Sequence, residues 1–241
     1  MLEIACLVEP GRRLINDDRA SVNKKLVSKG FYSETTEKAC LAVVCDGVGG
    51  EKYGNEAAEI VTKTFSKLDI GKLSIDSIKN NIVKSNNAVI KAQKTDVNHS
   101  KMSTTVAGLY INENDLIAFN VGDTRIYRFR SYLSQISKDH SIRQEQIDLG
   151  LKPKQGQENV ITRYIGGAHS SPEIIEGPGR VFINDLYVLC TDGVWSVLGE
   201  EDFEKLLSST ENLKKTCQAF INLALKNKSE DNLSIIIVKR F

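Results

Sequence analysis

Short apolar runs, each bounded by an aspartate and a turn residue, punctuate this chain from end to end. Leu41-Ala42-Val43-Val44-Cys45 leads into Asp46-Gly47, Leu186-Tyr187-Val188-Leu189-Cys190-Thr191 leads into Asp192-Gly193, and Asp231-Asn232 opens Leu233-Ser234-Ile235-Ile236-Ile237-Val238. Runs this short, rich in Val, Ile and Leu and bounded by Asp-Gly or Asp-Asn, predict buried strands ending in turns. Further strands are predicted over Leu2 to Val8, Thr104 to Ile111, Leu116 to Val121 and Arg125 to Arg130. The last three, joined by Asn112-Glu113-Asn114-Asp115 and Gly122-Asp123, are expected to form an antiparallel meander. A helical period governs Gly54 to Leu68, with Ala57, Ala58, Val61 and Phe65 on one face, and Ser74 to Lys94, with Ile75, Ile78, Ile82, Val83, Val89 and Ile90. Phe203, Leu206 and Leu207 mark a short helix; Leu213, Cys217, Phe220, Ile221, Ala224 and Leu225 mark a longer one before a last strand over Leu233 to Lys239. Paired helices between antiparallel strands indicate an α+β protein with helices packed outside a sheet or sandwich. The polar stretch Gly150 to Asn159, with Pro153 and Gly156, is expected to be a loop, either a binding segment or plain surface.

Composition narrows the classes. A chain of 241 residues that is 41% hydrophobic can bury a full core, and no Pro-rich or Ser-rich linker divides it, so a single domain over 1–241 is expected. Lys and Arg number 32 against 31 Asp and Glu, and a net charge of +1 gives no electrostatic reason to expect nucleic acid or a membrane as partner. Cys6, Cys40, Cys45, Cys190 and Cys217 sit mostly inside apolar runs without a Cys-x-x-Cys pair, which reads as core residues in a reducing compartment and not as structural zinc. Leu2 to Val8 is broken by Glu3 and lacks a basic leader, and no apolar stretch approaches the ~20 residues of a bilayer span. A soluble, cytoplasmic protein is expected.

One Asp-Gly is ordinary turn chemistry. Three aspartates at strand ends point further, because a strand end holds a side chain rigidly while leaving its tip at the surface. Carboxylates gathered without a His-rich or Cys-rich cluster are hard oxygen ligands suited to Mg2+ or Mn2+. Near the N-terminus, Arg13-Leu14-Ile15-Asn16-Asp17-Asp18 sets a planar cation before two carboxylates; alone it reads as a surface ion pair, and beside a metal cluster it suits phosphate. A phosphate-binding loop over Gly47 to Gly54 fails on spacing, since Lys52 falls where the third glycine belongs and no Gly-Lys-Ser or Gly-Lys-Thr follows. His99, His140 and His169 accompany no Gly-x-Ser-x-Gly elbow, and no cysteine lies in a Cys-x5-Arg loop.

These residues together resemble the metal-dependent Ser/Thr protein phosphatases of the PPM, or protein phosphatase 2C, family, bacterial type. The resemblance runs in order through Arg13 to Asp18, Asp46 to Gly54, Ser103-Thr104-Thr105, Val121 to Arg125, Asp139-His140-Ser141, Ile161 to Gly166, Thr191-Asp192-Gly193 and Glu230-Asp231-Asn232, which covers essentially the whole chain. It implies an α+β fold with a central antiparallel β-sandwich flanked on both sides by pairs of α-helices, a four-layer αββα arrangement, and a flap at about 139–166. It further implies two core Mn2+ or Mg2+ ions, with Asp46 bridging both, the Gly47 carbonyl on one, and Asp192 with Asp231 on the other. Asp17 and Asp18 would act through waters, Arg13 would grip the substrate phosphate, and Asp123 with Asp192 would serve a third, weaker ion. Asp123 has a rival reading, an ion pair with Arg125 or a turn cap.

The implied reaction is hydrolysis of phosphoserine and phosphothreonine in proteins, opposing a cognate Ser/Thr kinase, by a monomer. Two ions roughly 3.5 to 4 Å apart can share and orient one water for in-line attack. Three positions depart from the family pattern. Asp17-Asp18 replaces the usual Glu-Asp, Ser103 stands where Gly is usual, and Val48 stands where animal members have His and bacterial ones commonly Met. Val48 leaves the proton donor unassigned. The alternatives are a pseudophosphatase that binds a signalling partner and a phosphatase dedicated to anti-sigma antagonist proteins; retention of Asp46, Asp192, Asp231 and Arg13 favours activity, and the bacterial-type motif set favours a general kinase-opposing role.

Overall fold

The structure, a computed structural model, describes residues 1–48, 53–113, 115–154, 156–157, 160–176 and 181–241. Gly49-Gly50 of the glycine-rich turn, Asn114 of the hairpin loop and part of the loop expected over 150–159 lie outside the described residues. Twelve strands, β1 to β12, form two six-stranded antiparallel sheets. One sheet runs β4 (Gly30–Thr36), β1 (Leu2–Glu9), β12 (Leu233–Arg240), β11 (Leu186–Cys190), β8 (Arg125–Phe129), β9 (Leu133–Gln135). The other runs β10 (Glu173–Glu176), β7 (Leu116–Val121), β6 (Val106–Ile111), β5 (Cys40–Cys45), β2 (Arg19–Val22), β3 (Lys25–Val27).

The central strands are apolar on both faces because each face meets a different layer. In β5, Ala42 and Val44 enter the core between the sheets, while Leu41, Val43 and Cys45 pack outward with Val61, Phe65 and Ile78. Those partners belong to α1 (Gly54–Phe65) and α2 (Ile75–Gln93). In β12, Ile236 and Val238 point inward, while Ile235 and Ile237 meet Phe203 and Phe220. These lie on α5 (Glu200–Ser208) and α6 (Leu213–Lys226), which follow the one-turn α4 (Asp192–Trp195). Alternation at period two is thus present but invisible in the sequence, since both phases are apolar. The four layers are those the resemblance implied.

Two expectations are corrected. The third strand of the expected meander leaves its neighbours: β6 pairs β7, but β8 pairs β11 and β9 in the opposite sheet. The chain crosses between sheets at Gly122-Asp123-Thr124, with Gly122 at φ 112 and Ile126 entering the core between the sheets. A tight turn signals a change of direction and not which sheet receives the next strand. In α2, capped by Ser74, Val83 is exposed and the buried stripe includes Asn81, Ser85 and Asn86. Asn86 and Gln93 explain part of that polar stripe by reaching the backbone of Gly166, Gly167 and Met102. The segment 139–166 contains a helix, α3 (Ile142–Asp148), capped by Ser141. Among the described residues no helix is long and apolar enough to cross a membrane.

Candidate active site

Asp46 leaves the end of β5 and is fixed through its backbone. Its carbonyl accepts hydrogen bonds from Thr104 Oγ1 at 2.7 Å and the Thr105 N–H at 2.8 Å, and its own N–H donates to Thr105 Oγ1 at 3.0 Å. Val48 N–H donates to the Ser103 carbonyl at 3.0 Å, so Ser103-Thr104-Thr105 is the anchor of the Asp46-Gly47-Val48 turn. Gly47 has a steric reason: a Cβ there would lie 2.4 Å from the Gly54 carbonyl carbon and 2.8 Å from the Asp17 carbonyl oxygen. This approach joins the turn to the start of α1.

Asp192 is the first residue of α4, and its Oδ1 is buried without a hydrogen-bond partner among the described residues. Asp231 precedes β12; its Oδ1 accepts from the Asn232 N–H at 2.6 Å and its Oδ2 from Arg13 Nη2 at 2.7 Å. Beneath them Asp18, 1% exposed, accepts from Thr191 Oγ1 at 2.9 Å through Oδ2, while its Oδ1 has no described partner. Asp17 Oδ1 instead accepts from the Asn55 N–H at 3.0 Å, which places this carboxylate on the first turn of α1. No side chain caps that helix from Tyr53, so Asp17 supplies the acceptor that its N-terminus needs. Asn232 was legible only as the end of a motif. In the fold its Nδ2 donates to the carbonyls of Pro10 and Ile15, each at 2.9 Å, and its Oδ1 accepts from the Asp17 N–H at 2.9 Å.

The parts meet in a cleft of about 220 Å³ lined by Arg13, Asp46, Val48, Thr105, Asp123, Ile161, Asp192 and Asp231. Burial, reinforced by Asp18, Asp192, Asp123 and Asp231, holds the Asp46 carboxyl well above the usual range. Burial also pushes Asp18 up to about 7 against the hydrogen bond from Thr191, with Asp192 and Asp231 adding to the rise. Asp123 rises to about 7, first through burial and then through Asp192 and Asp139. Asp231 is raised by burial and Asp192 and drawn back by the Asn232 N–H and Arg13. Carboxylates so crowded, some with an oxygen that no described group satisfies, call for cations. The donor set is all oxygen and fits a hard divalent ion. Among the described residues no three of these side chains stand close enough to enclose one ion unaided.

Asp123 does not pair with Arg125. That guanidinium is bidentate to Asp139, with Nε at 3.0 Å from Oδ1 and Nη2 at 2.7 Å from Oδ2, and it lies 3.5 Å from the centre of the Trp195 ring. Arg125 therefore ties the start of the 139–166 segment to the helix that carries Asp192. The segment is pinned again where the Gly122 N–H donates to His140 Nδ1 at 3.1 Å, and where Thr104 and Ile165 exchange backbone hydrogen bonds. His140 is buried, and that burial, with Arg163 and Lys138 nearby, lowers its pKa to about 4, so the ring is neutral and structural. His99 packs edge-on against Tyr53, and neither it nor His169 lines the cleft.

The sequence profile of the family described as Protein phosphatase 2C matches residues 28–233. The chain is 25% identical over 243 residues to the serine/threonine phosphatase stp of Listeria monocytogenes, covering 92% of this chain and 93% of that one. It is 27% identical over 208 residues to the serine/threonine protein phosphatase PstP of Mycobacterium tuberculosis, covering 83% of this chain and 40% of the longer relative. Its fold superposes on the crystal structure of serine/threonine phosphatase Stp1 from Staphylococcus aureus with a TM-score of 0.85 at 24% identity, over 100% of this chain and 96% of that one. The catalytic domain of PstP, solved in complex with two manganese ions, gives a TM-score of 0.81 at 23% identity, covering 99% of each chain. The chain belongs to the protein phosphatase 2C family. Its reaction is that of the family, metal-dependent removal of phosphate from serine and threonine in proteins.

The crowded carboxylates predict an unusual pH response. Asp18 and Asp123 bind protons up to about 7 in the folded state and only to about 3.9 when unfolded. Between those values the folded chain holds the extra protons, so chelator-stripped protein should lose stability as pH rises through the window from about 4 to about 7. Saturating Mn2+ should abolish or reverse the trend, because the ion binds the folded carboxylates. Thermal melts across that window with chelator and with Mn2+ check this; a melting temperature that climbs steadily with pH in chelator contradicts it.

Proposed function

We propose that Asp46, the Gly47 carbonyl, Asp192 and Asp231 hold two divalent ions, Mn2+ or Mg2+, at the end of the sandwich. The supporting observation is one cleft in which four carboxylates, from the ends of β5, β7 and β11 and the start of β12, face the same volume as Arg13. When bound, such ions supply an activated water at neutral pH and offset charge on the phosphoryl oxygens. Asp46 serves as the shared ligand, its backbone held by Thr104 and Thr105 so that the carboxylate keeps its place without an ion. Asp18 underlies the site and, with Asp17, orients waters; Asp17 does so while also capping α1.

Arg13 binds the substrate phosphate. Its Nε donates to the Glu230 carbonyl and its Nη2 to Asp231, so the guanidinium is held at the cleft with further N–H groups left for phosphate. Asp123, which Arg125 leaves unpaired, adds with Asp192 a third and weaker cation position. The full acidic set favours catalysis over a partner-binding role without chemistry. The substrates are phosphoproteins, and the protein acts as a monomer in the cytoplasm against a Ser/Thr kinase; 32 basic against 31 acidic residues give no electrostatic case for nucleic acid or a membrane as partner.

Asp46→Asn should lose nearly all hydrolysis of p-nitrophenyl phosphate with its circular dichroism unchanged, and should fail to lower phosphothreonine levels when returned to a deletion strain. Full activity at saturating Mn2+ would remove Asp46 from the site. Arg13→Ala should raise KM for a phosphothreonine peptide about tenfold or more through loss of a charge-assisted contact. Its Mn2+ affinity should not fall, since Arg13 competes with an ion for Asp231; an unchanged KM contradicts the assignment. Asp123→Ala should lower kcat on phosphopeptide while calorimetry still shows two tight Mn2+ sites, and wild-type turnover across a Mn2+ titration would leave Asp123 a structural residue.

A further inference from the structure

Arg13 is followed directly by two aliphatic residues turned into solvent, Leu14 at 104% relative exposure and Ile15 at 62%. Single exposed apolar side chains are ordinary and imply nothing. This pair differs in how it is held and in what it adjoins. The loop is fixed at both ends: Asn232 Nδ2 donates to the Pro10 and Ile15 carbonyls at 2.9 Å each, the Arg13 N–H donates to the Pro10 carbonyl at 3.1 Å, and Asn16 Nδ2 reaches the Ser28 carbonyl at 3.3 Å. Gly11 completes the constraint, with φ 62 and a backbone so close to Asp231 that a Cβ would lie 2.3 Å from its carbonyl oxygen. The two side chains are therefore presented on a fixed backbone, Leu14 with no cover from the fold and Ile15 with only partial cover.

They border the cleft through Arg13, and that cleft has its own apolar lining in Val48 and Ile161, with exposed Val160 next in the chain. Arg12 directs its guanidinium to the C-terminal end of α6, where Nη2 donates to the Leu225 carbonyl at 3.4 Å. We propose that Leu14 and Ile15 are a docking surface for an apolar residue immediately beside the phosphorylated serine or threonine of a protein substrate. The inference rests on the phosphatase reading of the cleft and on Arg13 as the phosphate ligand. An extended peptide advances about 3.3 Å per residue, and successive Cα atoms of the loop are about 3.8 Å apart. On this reading the substrate residue next to the phosphorylated one lies over the loop beside Arg13, where Leu14 and Ile15 are exposed. Side chains of the Leu, Ile, Val or Met kind cover that surface best, and an acidic neighbour would lose hydration there without gaining a partner.

Three phosphothreonine peptides that differ only in the flanking residues, Leu, Ser or Asp, provide the test. The wild-type enzyme should show kcat/KM about tenfold higher for the Leu peptide than for the Ser peptide, the scale set by burying part of one aliphatic side chain. The double variant Leu14→Ser with Ile15→Ser should lose that preference while keeping its circular dichroism spectrum and hydrolysing p-nitrophenyl phosphate, which has no flanking residue to dock. Equal rates on the Leu and Ser peptides, a preference for Asp, or a Leu preference that survives in the double variant would each overturn the proposal. Failure of the wild-type enzyme on every peptide and on p-nitrophenyl phosphate would overturn the phosphatase reading itself and this inference with it. Hydrolysis of p-nitrophenyl phosphate without a flank preference would overturn the docking surface alone.

Discussion

Carboxylates gathered where water is scarce repel one another and resist ionisation, and the end of this sandwich concentrates Asp18, Asp46, Asp123, Asp192 and Asp231 there. Every other feature of the site answers that constraint. A chain left to relax would turn these side chains outward to solvent. It is prevented because Asp46 is fixed through its backbone by Thr104 and Thr105 and Asp192 by its place at the start of α4, while Thr191 holds the Asp18 carboxylate and Arg13 and the Asn232 N–H hold that of Asp231. The cost of the repulsion is borne by the packed layers on either side, where Phe65 stacks on Phe119 and Phe203 meets Tyr127 and Phe220.

The anchors are also non-local. Asn232 reaches 215 residues back to Asp17, and Thr191 reaches 173 back to Asp18. The first and last strands are neighbours in one sheet, β1 pairing β12 along its whole length, which brings the Arg13 loop against Asp231. Because β5 lies in one sheet and β11 and β12 in the other, the cluster of aspartates spans the sandwich. Relative movement of the two sheets would open or close the cleft. Tight packing between them, from Val44 and Leu109 to Leu189 and Ile236, makes the separation of the carboxylates a property of the core.

Arg125 gives the segment 139–166 a physical link to the cleft. It binds Asp139 on one side and covers the Trp195 ring on the other, so the base of the segment and the helix bearing Asp192 share one cation. Asp139 is 7% exposed, and its charge is tolerable there because the guanidinium meets both oxygens. The same commitment withholds Arg125 from Asp123 and leaves that carboxylate to the cleft.

The sequence by itself determined the central apolar strands, the four main helices, two of them with approximate limits, and the identities of the aspartates at strand ends. Those follow from local periodicity and turn chemistry, which act over a few residues. Order of motifs then carried the resemblance, and through it the layer architecture and the roles expected of Arg13, Asp46, Asp123, Asp192 and Asp231. Partnership was decided only by the tertiary structure. It sent β8 across to the opposite sheet, turned Val83 outward in favour of Asn81 and Ser85, set Asp17 on the first turn of α1, and gave Asp139 to Arg125. The edge strands β3, β9 and β10, with β2 beside β3, were likewise settled by pairing, because they are too short to announce themselves. Local pattern fixes which face of an element is apolar, whereas a hydrogen bond or ion pair between distant residues depends on which surfaces the whole chain brings together.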